Sequence, residues 1–364
     1  MIRTPPHRPS DIQSLAGIRA GGTTGTLGSG FVANAGTLVI DRSAALIRRR
    51  RALTALVPVA IWLVTMPAPA AEPASRRILT CGKRTALVEI TAEHPAGRVE
   101  WSHPANTREG WVLPDGNVLL ALSKGGDTPR GAAVEIKRGT GGQPDQVVWR
   151  YDGTQDEVNS IQKTPAGTYV LSEAGPNPRL LEIAADGTVK VEIPLACQKQ
   201  NHHMQTRMAR KQPDGTFLAP HLLDFAIKRY DASGRVLELI STRVPGEPKV
   251  NSWPFTAIVL ADGGILAGLT NGNRVAEYAA DGSLRWEITT ADVDGAIADA
   301  CGIQRLPGGN TMIASYHIGK GGVRLLEVTP EKKLAWTWTA DVPAVHHFHV
   351  VSIDGKDLPW PPLR

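Results

Sequence analysis

Apolar residues fall in short runs along most of the chain, and Gly, Asp, Asn and Pro punctuate them. One stretch reads Ile303-Gln304-Arg305-Leu306-Pro307-Gly308-Gly309-Asn310-Thr311-Met312-Ile313-Ala314, then Leu325-Leu326-Glu327-Val328, then Leu334-Ala335-Trp336. The same order recurs. Turns fall at Pro114-Asp115-Gly116-Asn117, Pro165-Ala166-Gly167-Thr168, Pro213-Asp214-Gly215-Thr216, Ala261-Asp262-Gly263-Gly264, Pro307-Gly308-Gly309-Asn310 and Ile353-Asp354-Gly355-Lys356, in steps of 51, 48, 48, 46 and 46 residues. A second series lies between them, at Ala96-Gly97, Pro144-Asp145, Asp186-Gly187, Ser233-Gly234, Asp281-Gly282 and Glu331-Lys332. Asp-Gly between apolar runs marks a hairpin, because the turn needs φ > 0 and Gly supplies it at little cost.

Each period therefore holds four short strands, A to D outward. One turn joins A to B and another joins C to D. Strand C carries Glu89, Glu135, Glu182, Glu277 and Glu327, and strand D carries Trp101, Trp149, Trp286 and Trp336. Residues repeated in unit after unit read as packing between units rather than as a site. Strands A and B are near-continuous apolar runs, as expected of sheets covered on both faces. Four-stranded units at this period predict a β-propeller. Five units are complete. Val345-His346-His347-Phe348-His349-Val350-Val351 is a strand A without successors, whereas Ile78–Cys81, Ala86–Ile90 and Arg98–Trp101 are strands B, C and D without a strand A. The expected fold is all-β: a six-bladed β-propeller of four-stranded antiparallel blades, the last closed by both termini. It forms a single domain over residues 71–364.

Charge refines this. Residues 1–70 hold eight Arg, no Lys and two Asp, or +6. The remainder holds 32 basic and 33 acidic residues, or −1. The overall +5 thus gives no reason to expect a nucleic-acid partner. Arg48–Arg51, the apolar run Ala52–Met66 and small residues at Ala68-Pro69-Ala70-Ala71 have the form of a signal peptide over residues 48–70. Residues 1–47 are patternless, and read as a disordered leader or as a start assigned too far upstream. The expectation is a bacterial periplasmic or secreted protein with no membrane span after cleavage; a retained anchor is the alternative. Cys81, Cys197 and Cys301 show no zinc spacing. An oxidising compartment permits one disulfide among them, and the spacing does not choose the pair.

Seven of the nine His beyond residue 70 fall at the end of the propeller opposite the A–B turns: His103, His202, His203, His221, His317, His346 and His347. Long connections fall there too, as on functional faces. Counting seven residues back from each A–B turn gives a ring of Arg108, Asn159, Arg207, Phe255, Cys301 and His347. Its neighbours are Glu157, His203, Trp253, Asp299 and His346. Arginine recognises carboxylate, sulfate or phosphate, and histidine titrates near neutrality. The candidate ligand-binding residues are Arg108, Asn159, Arg207, Trp253, Asp299 and Cys301; the candidate catalytic residues are His347 and His203. Cys301 could act as a nucleophile only if its thiol were acidified. No metal ligands are assigned. A divalent metal would need one His of each adjacent pair with His221 or Asp299.

The Leu-Pro-Asp/Gly-Gly-Asn turn, the Val/Leu-Glu strand and the closing Trp resemble the secreted bacterial propellers grouped as pyrroloquinoline-quinone-like (PQQ-like) or arylsulfotransferase-like. The resemblance covers about residues 76–355. It implies fold more than activity. Quinone-dependent members have eight blades and vicinal cysteines, and this chain has no Cys-Cys pair, so PQQ is not expected and no cofactor is assigned. Arylsulfotransferases implied by the resemblance use a histidine as sulfuryl acceptor. Their His-x-Asn-Ser motif is matched in part by Glu157-Val158-Asn159-Ser160, where Glu157 replaces the His. The expected function is binding of a small anionic or aromatic ligand at the top of the channel, by a monomer. The alternatives are a group-transfer enzyme or lyase using His and Arg at the mouth, and a protein-interaction scaffold.

Overall fold

The computed structural model describes residues 75–198 and 200–364. The leader and signal-peptide expectations lie outside them. Strands β1 (Ser75–Gly82), β2 (Thr85–Thr91) and β3 (Arg98–His103) come first. Blade 1 follows as β4 (Thr107–Val112), β5 (Val118–Leu122), β6 (Ala132–Lys137) and β7 (Gln146–Asp152). Blade 2 is β8 (Glu157–Lys163), β9 (Tyr169–Ala174), β10 (Arg179–Ile183) and β11 (Val189–Pro194). Blade 3 is β12 (Arg210–Lys211), β13 (Phe217–His221), β14 (Ala226–Tyr230) and β15 (Val236–Ser241). Blade 4 is β16 (Trp253–Val259), β17 (Ile265–Thr270), β18 (Arg274–Tyr278) and β19 (Leu284–Thr289). Blade 5 is β20 (Ala300–Arg305), β21 (Thr311–Ser315), β22 (Val323–Val328) and β23 (Leu334–Thr339). Finally β24 (Val345–Ile353) pairs antiparallel with β1, so blade 6 joins the two ends of the described chain. A short β25 (Lys356–Asp357) adds a fifth strand on the inner side of β24.

Burial grades outward as the apolar runs require. β4, β5, β9, β13, β17 and β21 are buried along their whole length. Each outermost strand β7, β11, β15, β19 and β23 buries a single residue: Trp149, Ile193, Ile240, Ile288 or Trp338. The turn glycines adopt positive φ, for example +84° at Gly116 and +89° at Gly187. An Ala there would force a side chain into the left-handed region.

The repeated Glu and Trp bind neighbouring blades. Glu135 on β6 accepts from Lys163 of blade 2 at 2.7 Å, and Glu182 on β10 from Lys211 of blade 3 at 2.7 Å. Glu277 on β18 accepts from Arg305 of blade 5 at 2.6 Å, and Glu327 on β22 from Arg76 of blade 6 at 2.8 Å. Trp149 stacks on Tyr169 of blade 2 at 3.7 Å, and Trp336 lies under the Arg76 guanidinium at 4.1 Å. These contacts fasten each sheet to the next around the ring. Cys81 and Cys301 are not joined to each other; both are buried free thiols. No helix among the described residues is long and apolar enough to cross a membrane.

Candidate functional site

The innermost strand of every blade is bulged where it reaches the top of the channel. Pairing skips Arg108 in β4, Asn159 in β8 and Phe255 in β16, and Cys301–Gly302 in β20. In blade 3, Arg207–Ala209 lie opposite only two residues, between the pairs Thr206–His221 and Arg210–Leu218. In β24, pairing passes from His347 to Val345 and leaves out His346. A bulge adds a residue to one strand and re-aims its side chain. The seven-residue count thus falls on the bulge in five blades and one residue late in the sixth.

The bulges surround a cavity of about 380 Å³ lined by Arg108, His203, Met204, Arg207, Leu222, Phe255, Thr270, Asn271, Asp299, Cys301, Tyr316, His317 and His346. At ~30 Å³ per liquid water, this admits a molecule of roughly a dozen heavy atoms. Blades 1 and 3, with the loop that leads into blade 3, supply its cationic half, and Glu157 of blade 2 stands behind it. Arg207 is 2% exposed. One of its terminal nitrogens donates to the Thr206 carbonyl at 2.7 Å, while among the described residues its Nε has no partner and no carboxylate forms a direct ion pair with it, although the Glu157 charge acts on it. Burial, then the Arg108 charge, lowers its proton affinity, yet a guanidinium stays charged near neutral pH. Arg108 reaches Glu157 at 3.4 Å. Glu157, 1% exposed, also accepts from Lys124 at 2.9 Å and pairs with His203 Nδ1 at 2.9 and 3.0 Å. Burial alone would raise the Glu157 carboxyl. The His203 hydrogen bond, the Arg108 and Arg207 charges and Lys124 more than reverse that, and hold it well below the usual carboxylate range.

Blades 4 to 6 supply an aromatic half. His346 stacks on Tyr316 at 4.0 Å and near-parallel to Phe255 at 6.1 Å. Burial and the two arginines keep its imidazole well below the ordinary histidine value, hence neutral. Asp299 bonds the His317 Nδ1 through Oδ2 and accepts from the Asn271 N–H through Oδ1 at 2.9 Å. Its own N–H donates to Asn273 Oδ1 at 2.7 Å. Asn271, Asn273 and Asp299 all sit at positive φ, 57°, 50° and 57°. Backbone strain of this kind persists where surrounding bonds over-determine it. Burial pushes the Cys301 thiol up to about 12, the opposite of what a nucleophilic cysteine needs.

Of the residues singled out from sequence, Arg108, His203, Arg207, Asp299 and Cys301 line this cavity, and Asn159, Trp253 and His347 do not. Asn159 is fully buried with neither amide atom partnered among the described residues, and the Trp253 ring meets Phe225 edge-to-face at 6.4 Å. His347 was expected at the mouth as a catalytic group. The bulge gives that place to His346, and consecutive strand residues point to opposite sides. His347 is fully buried and its Nδ1 accepts from Arg364 at 2.5 Å. His221 is buried too, its Nε2 on the Tyr230 hydroxyl at 2.9 Å. Among the described residues no three His, Cys, Asp or Glu side chains converge as a metal ion requires.

Sequence reasoning missed two things. Tyr316, which follows strand β21, carries no signal in the innermost-strand count, and His317 beside it was placed at this end of the propeller but not among the candidate site residues. The segment Leu358–Arg364 re-enters the channel: Arg305 N donates to Leu363 O at 2.9 Å, and the Arg364 guanidinium lies 4.1 Å over Trp111. There it approaches Glu109 at 3.7 Å; Glu109 is paired with Arg210. A length of chain carrying no repeat signal lies across the lower end of the channel, mostly exposed, and buries its Arg364 there.

Fold and site together define a six-bladed propeller with a polar, partly aromatic cavity at one end of its channel. No protein-family model matches the sequence, and no curated protein matches it either. Solved structures do match. A protein of unknown function from Bacteroides caccae is similar at 17% identity with a TM-score of 0.62, covering 75% of this chain and 98% of that one. The periplasmic gluconolactonase of Pseudomonas aeruginosa is similar at 14% identity and TM-score 0.52, covering 77% and 100%. Virginiamycin B lyase of Staphylococcus aureus, as an inactive variant with quinupristin, aligns at 15% identity and TM-score 0.48, covering 76% and 87%. At these identities the likeness is one of fold. Propellers of this form include lactonase and lyase enzymes as well as proteins of unknown function.

Proposed function

We propose that the protein binds a small anion at the top of its channel, a molecule carrying a carboxylate, sulfate or phosphate on a planar body. The observation that carries this is Arg207. It is a buried guanidinium at the wall of an open cavity with no direct ion-pair partner among the described residues; the Glu157 charge that acts on it is already shared with Arg108, Lys124 and His203, and a buried cation gains from fuller compensation. Arg108 offers a second donor set on the same side, and Phe255, Tyr316 and His346 offer a flat wall opposite. An open polar mouth supports a ligand site over a pure interaction scaffold. The leader pattern supports an exported location, where such ligands arrive from outside the cell.

Thermal shift and calorimetry with benzoate, 4-nitrophenyl sulfate and phenyl phosphate, against uncharged analogues, test the reading. At least one anion should stabilise the wild-type protein. Arg207→Ala should weaken its binding ~100-fold, the ~2–3 kcal/mol of a charge-assisted pair. If no anion raises the wild-type melting temperature, or Arg207→Ala binds equally well, the reading fails.

A second reading rests on a separate observation. Two imidazoles, His203 and His317, are each oriented by a carboxylate at the cavity wall, an arrangement suited to acid–base work.

A further inference from the structure

The two oriented imidazoles differ in what surrounds their carboxylates. Glu157, behind His203, is already shared with Arg108 and Lys124. Asp299, behind His317, has no other ion-pair partner among the described residues, so its charge remains available to an imidazolium formed on His317. A carboxylate can only accept, so His317 Nδ1 carries the proton and Nε2 carries a lone pair. The ring is the more accessible member of its pair, at 68% side-chain exposure against 11% for Asp299, so water reaches it. Blade 5, which bears the pair, stands opposite blade 2 in the six-membered ring. An anion anchored by Arg108 and Arg207, on blades 1 and 3, would extend its body toward it.

We propose that His317, positioned by Asp299, is a general base that activates water against an ester of a carboxylate-bearing aromatic substrate. This rests on the anion reading of the same cavity. His317 Nε2 takes one proton of the water. The hydroxide oxygen bonds the acyl carbon, the ester C–O bond breaks, and the proton passes from Nε2 to the departing phenolate oxygen. The products are a carboxylic acid and a phenol, and no redox partner is needed. The Tyr316 hydroxyl, whose ring lies 4.5 Å from His317 and 4.0 Å from His346, is the candidate donor to the developing oxyanion. Burial raises its phenol and keeps the proton on it. Water is the nucleophile because the cavity's thiol, Cys301, stays protonated.

The test is hydrolysis of 4-acetoxybenzoate and its 2- and 3-isomers, with phenyl acetate as the uncharged comparator, read as phenol release. Binding of the product 4-hydroxybenzoate is followed by calorimetry. The expected result is turnover that favours the carboxylated esters. His317→Gln should lower kcat ~100-fold or more with product affinity unchanged. Asp299→Asn should lower kcat with little change in KM and alter the pH–rate profile. Product binding without turnover of any of these esters overturns the hydrolytic inference and leaves the anion site standing. Full activity in His317→Gln also overturns it. Failure of every anion to bind removes the reading beneath it.

Discussion

The channel holds two clusters of arginine, histidine and aromatic residues, and they are opposite in state. In the lower cluster the chain supplies its own counter-groups. Glu109 pairs with Arg210 and lies near Arg364, Trp111 lies under both guanidiniums, and His347 accepts from Arg364. In the upper cluster Arg207 and Arg108 face an open cavity, and among the described residues no carboxylate forms a direct ion pair with Arg207. Composition alone does not separate a structural cluster from a binding one. What separates them is whether the fold delivers a partner to each buried charge.

That contrast can be broken from either side. The largest effect is expected from Glu109→Gln, which leaves Arg210 and Arg364 buried together without their counter-charge. Urea unfolding should show a loss of ~3–5 kcal/mol. Retention of wild-type stability would mean the lower cluster is not held as described. Next comes pH. Burial holds His221 down to about 3 and keeps His347 and His349 well below the ordinary histidine value. Folded values below the unfolded one mean that the unfolded chain binds more protons between them. Stability should therefore be full above about pH 6.5 and fall as pH drops, by ~1.4 kcal/mol per pH unit for each imidazole. His349→Gln should remove one imidazole's share of that slope. The smallest stability effect belongs to the upper cluster. Arg207→Met deletes a buried charge that makes no direct ion pair among the described residues and should change unfolding free energy by less than ~1 kcal/mol, while weakening anion binding ~100-fold. A loss as large as that of Glu109→Gln would show Arg207 to be structural.

Much of the ring of blades was legible because its signals are local. Asp-Gly turns, the Glu of strand C and the Trp of strand D recur at a fixed period, and each reports on a neighbour a few residues or one blade away. The mouth was legible in part. Arg108, Arg207 and Cys301 were reached by counting from turns, since an extended strand advances a constant distance per residue. His346 was missed by one position because a bulge inserts a residue that no local pattern announces. His317 was placed at the right end but not in the site, because its partner Asp299 is 18 positions away, on the other side of strands β20 and β21.

The sequence by itself therefore determined the blade repeat, its count and the closure of blade 6. All of these follow from periodicity and turn residues. Only the tertiary structure decided which polar residues share a space, which imidazole gains a carboxylate, and which arginine is left without one. It also decided that Arg364 is buried at the lower end of the channel, beside Trp111 and Glu109, while the mouth stays open. The reason is physical. Backbone conformation responds to nearest neighbours along the chain, whereas the pairing of a buried charge depends on groups brought together from distant blades.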